Sequence, residues 1–155
     1  MKLWVPVVAP KFLDLLGRFS PLGKGGIGGI TLFPFIFSRE PMKEKEEAHE
    51  AIHVTQQLEL GVLGGLVSIP LALVCGLPWW VMLTLGLAGF APGVGWFYWV
   101  YYSTWLYHRI RLRDGKQAYR TIPLEVEAYA HEAEGLYYLG ERRWFAWLRS
   151  ARSPA

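Results

Sequence analysis

Charged residues are absent from Leu60 to Tyr107, while polar and charged positions crowd both flanks. The run covers about 48 positions, and one membrane-spanning helix needs about 20 apolar residues, so there is room for two. Gly76-Leu77-Pro78 lies near the middle and is a turn signal. The pattern predicts a transmembrane hairpin over 60–107, with arms at 59–76 and 79–107 and a kink at Pro92-Gly93. Trp79 and Trp80 would mark the far interface, and Trp105 and Tyr107 the near one.

Ahead of the hairpin, residues 20–29 form a glycine-rich loop without the Gly-Lys-Ser/Thr ending of a phosphate-binding loop, and read as a flexible connection. Ile30 to Phe37 is β-branched and aromatic, and Pro34 demotes it to an edge strand or an interfacial segment. With the preceding residues it makes an N-terminal loop and strand segment over 1–40. Pro41 opens a helix over 41–59, and Glu44, Glu46 and Glu47 suit its positive N-terminal end. A basic loop follows the hairpin at 108–122. Thr121-Ile122-Pro123 starts a glutamate-bearing helix over 123–140, ended near Gly140. The tail, 141–155, is basic and aromatic and reads as an interfacial helix on a membrane surface.

With 155 residues the chain has room for one domain. Hydrophobic residues at 52% and charged residues at only 19% fit a single membrane-embedded domain with a polar part. The net charge of +3 comes without a lysine- or arginine-rich block, which excludes a nucleic-acid footprint. Cys75 is the single cysteine, so neither an intrachain disulfide nor a cysteine-based metal site can form. The N-terminal apolar stretch is broken by Pro6 and Pro10 and does not read as a signal peptide. Arg109, Arg111, Arg113, Lys116 and Arg120 follow the hairpin directly. Positive-inside reasoning then expects a multi-pass protein of the cell membrane, with both termini cytoplasmic and the bilayer as a partner. The expected fold is mainly α: a two-helix transmembrane hairpin joining two cytoplasmic helices, with one short edge strand before the first.

The chemistry lies in His49-Glu50-Ala51-Ile52-His53. Two histidines four residues apart stand on one helix face, one turn apart, where both imidazoles can bind one Zn²⁺ ion. The glutamate beside them suits a general base for a water whose pKa the metal lowers. Gln56 falls on the same stripe, and Gln56 and Gln57 are candidates to cap a cavity or bind substrate. Catalytic zinc usually takes three protein ligands, and Glu125, Glu127, His131 and Glu132 are the candidates for the third. Glu125 and Glu127 stand about 200° apart on a helix, so one face cannot present both.

His-Glu-x-x-His followed by Glu-x-x-Ala-x on a second helix resembles the gluzincin metallopeptidases, and in particular their membrane-bound members, which carry a hydrophobic hairpin between the two motifs. The second motif here is Glu125-Val126-Glu127-Ala128-Tyr129. The resemblance implies that His49, His53 and Glu125 are zinc ligands and that Glu50 is the general base. Tyr129 stands where that family has an aspartate supporting a ligand histidine. The family also sets a strand before the motif helix, where substrate adds as a further strand. A closer resemblance, over roughly residues 28–148, is to a group of small uncharacterised bacterial membrane proteins. They combine Leu-Phe-Pro-Phe-Ile, His-Glu-x-Ile-His-x-x-Gln-Gln, a hydrophobic hairpin and Glu-x-Glu-Ala-Tyr. Both glutamates occur in that group, so Glu127 stays open as the alternative ligand.

The expected function is a zinc-dependent membrane metallopeptidase hydrolysing peptide bonds of a peptide or membrane-protein substrate at the cytoplasmic membrane face. The alternatives are a non-catalytic metal-binding membrane protein and a structural or interaction protein of the membrane.

Overall fold

The computed structural model describes residues 4–18, 28–78, 80–81, 84, 93–134, 137, 140 and 142–150. Within them the chain is mainly helical with one small sheet. Strand β1 (Val5–Val8) is followed by helix α1 (Pro10–Gly17), then strands β2 (Gly29–Leu32) and β3 (Phe35–Ser38). Helix α2 runs over Glu44–Val74, α3 over Gly93–Leu112, α4 over Gly115–Arg120, α5 over Pro123–His131 and α6 over Trp147–Ser150.

The segment from Ile30 to Phe37 is two strands, not one. The proline expected to confine a single strand to an edge sits in the two-residue turn Phe33-Pro34, where it takes no donor from either ladder. β2 and β3 pair antiparallel, and β1 joins β3 in parallel, giving the order β1-β3-β2 with β2 on an edge. The Arg39 amide donates to Gly28 O (3.4 Å), which sets the phase of the β2–β3 ladder. Antiparallel pairs alternate between bonded and non-bonded positions. Gly29 and Thr31 are therefore the residues whose backbone groups face the open edge.

Helix α2 starts at its acidic turn. The Lys43 amide donates to Glu46 Oε2 (3.0 Å), and Glu44, Glu46 and Glu47 face the positive end of the dipole. Its first half is enclosed. Trp4, Ile36, Ala51 and Val54 form a core between the sheet and α2. Leu60, Phe97, Ile122 and Leu124 form a second core, where α2 meets α3 and α5, and Trp147 of α6 packs on it. Ile122 and Leu124 are fully buried, and each such side chain contributes about 1.5–3 kcal/mol.

The expected transmembrane hairpin is overturned. Among the described residues no helix is long and apolar enough to cross a membrane. The membrane-protein fold and the multi-pass location with cytoplasmic termini fall with it. The physical reason is that a charge-free stretch is not the same as an apolar one. On α2, buried Gln56, Gln57 and Glu59 precede the apolar part, which then lasts about 15 residues, or roughly 22 Å against a hydrocarbon thickness of about 30 Å. On α3 the aromatic residues come with Ser103, Thr104 and His108, and Arg109 and Arg111 lie within the helix rather than in a loop. Trp79, Pro92 and most of the expected second arm before Gly93 lie outside the described residues. Leu66, Leu71 and Val74 of α2 and Trp99 and Ile110 of α3 are exposed.

The basic stretch after α3 contains α4, whose N-cap Asp114 accepts from the amides of Lys116 (2.8 Å) and Gln117 (3.2 Å). Helix α5 begins at Pro123 and ends at His131. The tail is tied to the rest of the fold, while Trp144 and Leu148 stay exposed. Arg142 is buried between two glutamates, and α6 packs on α5.

Candidate metal centre

Helix α2 carries His49 and His53 one turn apart, and α5 crosses against them. Their Nε2 atoms are 3.2 Å apart. Glu125 of α5 completes the group: its Oε2 is 3.3 Å from His49 Nε2 and its Oε1 is 3.3 Å from His53 Nε2. These three residues are the described cluster able to hold a metal ion. Two ligands bound at about 2.0–2.1 Å to one tetrahedral ion stand about 3.3 Å apart. The observed spacings match that edge, and the donor set of two imidazoles and one carboxylate suits zinc.

Each donor is held from behind. His53 Nδ1 meets Gln56 Oε1 at 2.7 Å, and His49 Nδ1 meets Glu132 Oε2 at 3.1 Å. Tyr101 of α3 donates to Glu125 Oε1 (2.8 Å). Glu125 Oε2 is buried, with His49 Nε2 3.3 Å away and no hydrogen bond of ordinary geometry among the described residues. A buried carboxylate oxygen held so weakly is costly, and a cation between it and the two imidazoles would satisfy it.

The electrostatics also ask for a positive charge here. Burial by itself pushes the His53 pKa down, but the facing Glu125, with help from Glu50 and Gln56, more than reverses this and raises it to about 9. Burial pushes Glu125 the other way, and the charge and hydrogen bonds of His53 and His49 override it, holding the carboxyl well below the usual carboxylate range. Without metal, the cluster keeps a proton in the place a cation would fill.

Glu127 is directed elsewhere. It takes Arg142 Nε at 2.7 Å and Nη2 at 3.1 Å, Gln56 Nε2 at 2.9 Å and the Tyr137 hydroxyl at 3.2 Å. Arg142 is shared with Glu59, which also accepts from the Phe145 amide (2.9 Å). A two-residue step on a helix turns Glu125 toward the histidines and Glu127 toward the tail.

Glu50 lies beside the cluster, in a cavity of about 790 Å³ whose walls include Tyr98, Tyr102, Trp105 and Lys116. Thr31 of β2 donates its hydroxyl to Glu50 Oε2. Gly29 stands next to it, and a Cβ there would come within 3.3 Å of Glu50 Oε1. Gln57 does not face the cavity. Its amide pairs with the far end of β2, accepting from the Phe33 amide (2.8 Å) and donating to Thr31 O (2.6 Å), as a peptide group would. Tyr98 donates to the same carbonyl (3.0 Å). Tyr129 does not replace the expected aspartate as a hydrogen-bond partner. Its ring packs against that of His49, with centroids 4.7 Å apart.

Glu132, expected as a candidate ligand, instead stands behind His49, and its spacing of seven from Glu125 puts both on one helix face. No local sequence pattern ties Thr31, Tyr101 or Arg142 to α2. His131 pairs with Glu134 (3.0 Å) and stacks on Tyr137, outside the cluster. No protein-family model matches the chain, and no curated protein or solved structure matches it.

Proposed function

We propose that this protein is a zinc-dependent peptidase of the gluzincin kind, with His49, His53 and Glu125 as the metal ligands. The observation that carries the reading is the set of mutual donor spacings, 3.2 to 3.3 Å, at the floor of an open cavity with an unligated carboxylate beside it. A bound zinc ion would supply Lewis acidity to a carbonyl oxygen and acidify a water.

Glu50 is the proton carrier. It is held on one oxygen by Thr31 and accepts no bond from a lysine or arginine among the described residues, so it can take a proton from water and return it to the leaving amine. The edge of β2 aligns the peptide. Gly29 and Thr31 direct backbone groups outward, and an extended segment can pair there as an added strand. Gln57 and Tyr98 close the end of that edge nearest Pro34, which leaves the Gly29 side as the docking length. The aromatic walls favour a peptide with apolar side chains near the scissile bond.

The test is metal content together with turnover. Protein purified without added zinc should contain one equivalent. Glu50→Gln should keep that metal and lose about 10²–10⁴-fold in rate on an apolar peptide library. Full metal with unchanged turnover in Glu50→Gln would replace the peptidase reading with a non-catalytic metal site. Absence of bound metal in the parent chain would remove both.

A further inference from the structure

Gln56 is fully buried between His53 and α5, and its amide has only one way to sit. Its nitrogen meets Leu124 O at 3.0 Å and Glu127 Oε2 at 2.9 Å, and both of these are acceptors. Its oxygen must then face His53 Nδ1, 2.7 Å away, so that nitrogen carries hydrogen and Nε2 is the ring nitrogen turned toward Glu125 and His49. Gln56 thus sets the orientation of a ligand imidazole, and Glu127 sets Gln56.

Glu127 is in turn held by the tail. The Arg142 fork spans both of its oxygens, at 2.7 and 3.1 Å, and the same guanidinium clasps Glu59 of α2. A planar fork fixes a carboxylate in angle as well as position, which a single point contact cannot do. The Arg142 side chain is only 3% exposed, so this clamp is shielded from solvent screening.

We propose that Arg142 is a positioning residue of the metal centre, acting on His53 through Glu127 and Gln56, so that docking of the segment 142–150 completes the site. The inference rests on the metal reading of His49, His53 and Glu125, and it adds a part of the chain that touches none of them. It predicts that metal affinity reports on tail docking. Partners lying behind a ligand typically change affinity by 10–100-fold, and two intervening links put Arg142 at about tenfold.

The experiment titrates metal-free full-length chain with Zn²⁺ and with Co²⁺, whose visible absorption reports the ligand field. Arg142→Met should weaken both metals about tenfold and alter the Co²⁺ bands. Gln56→Met should do the same, and the double variant should be no worse than either single one, since both break one chain. Glu59→Gln is the control. It keeps a neutral acceptor for the Arg142 fork and the Phe145 amide and leaves the route to His53, so it should lower the melting temperature and cost less affinity than Arg142→Met. Parent-like affinity and bands in folded Arg142→Met, equal losses in Glu59→Gln and Arg142→Met, or strict additivity with Gln56→Met would each overturn the proposal. If Arg142→Met does not fold, Arg142→Lys decides. An ammonium keeps the charge but not the fork, and parent-like affinity in that variant would make Arg142 purely structural. A parent chain that binds neither metal overturns the metal reading itself, a result distinct from all of these.

Discussion

Glu132 Oε2 lies 3.1 Å from His49 Nδ1, on the side of the imidazole away from Glu125. The gluzincin resemblance looks for a carboxylate in that supporting role at position 129, where this chain has tyrosine. Here it comes from one turn further along, and Lys45 Nζ, 2.9 Å from Glu132 Oε1, holds it in place. A carboxylate behind a ligand histidine fixes its tautomer and raises its basicity.

Glu132→Gln should therefore weaken zinc binding by about 10–100-fold while the fold is kept. Tyr129→Asp should not tighten it. That change removes the ring packed on His49 and sets a second negative charge near Glu132. Competition against a zinc chelator measures both. Unchanged affinity in Glu132→Gln together with tighter binding in Tyr129→Asp would show that position 129 governs the imidazole.

Thr31 and Gly29 bear on Glu50 rather than on the proposed ligands. Thr31→Val keeps the shape and removes the hydroxyl that donates to Glu50. Gly29→Ala puts a methyl group 3.3 Å from Glu50 Oε1 and 3.3 Å from Phe37 O, so the carboxylate has to shift by a few tenths of an ångström. Both variants should bind zinc like the parent and lose turnover, by about tenfold for misplacement of a proton carrier. Zinc loss in either variant would mean that the edge strand supports the ligands instead.

The pH dependence has a definite sign in the metal-free chain. His53 has its pKa raised from 6.5 to about 9, burial being outweighed by Glu125. A raised pKa contributes stability that is fully present below about 6.5 and is lost as pH climbs through about 9. The melting temperature of metal-free protein should fall across that window, and His53→Gln should flatten the fall. Zinc binds neutral imidazole, so apparent affinity should rise with pH over the same range, by about tenfold per unit for one displaced proton. A zinc affinity independent of pH from about 6.5 to about 8.5 would show that His53 carries no displaceable proton in that range.

What the sequence determined by itself was local. A spacing of four sets His49 above His53 on any helix, with Glu50 displaced to one side, because 3.6 residues make a turn. The acidic start of α2 and Pro123 at the start of α5 follow from capping and from the fixed φ of proline. The hairpin reading failed on the same local evidence, since the absence of charge from Leu60 to Tyr107 says nothing about the tyrosines, glycines and hydroxyls that lower the run's apolar character. Tertiary structure decided everything that depends on distant pairing. Glu125 rather than Glu127 faces the histidines because of the way α5 is turned against α2, and Arg142 pairs with Glu127 on the other side. Thr31 reaches Glu50 because β2 is an edge strand packed on α2. Glu132 supports His49 because α5 crosses α2 at that turn. These contacts join residues far apart in sequence, and only the packing of the two cores against α2 brings them within hydrogen-bond reach.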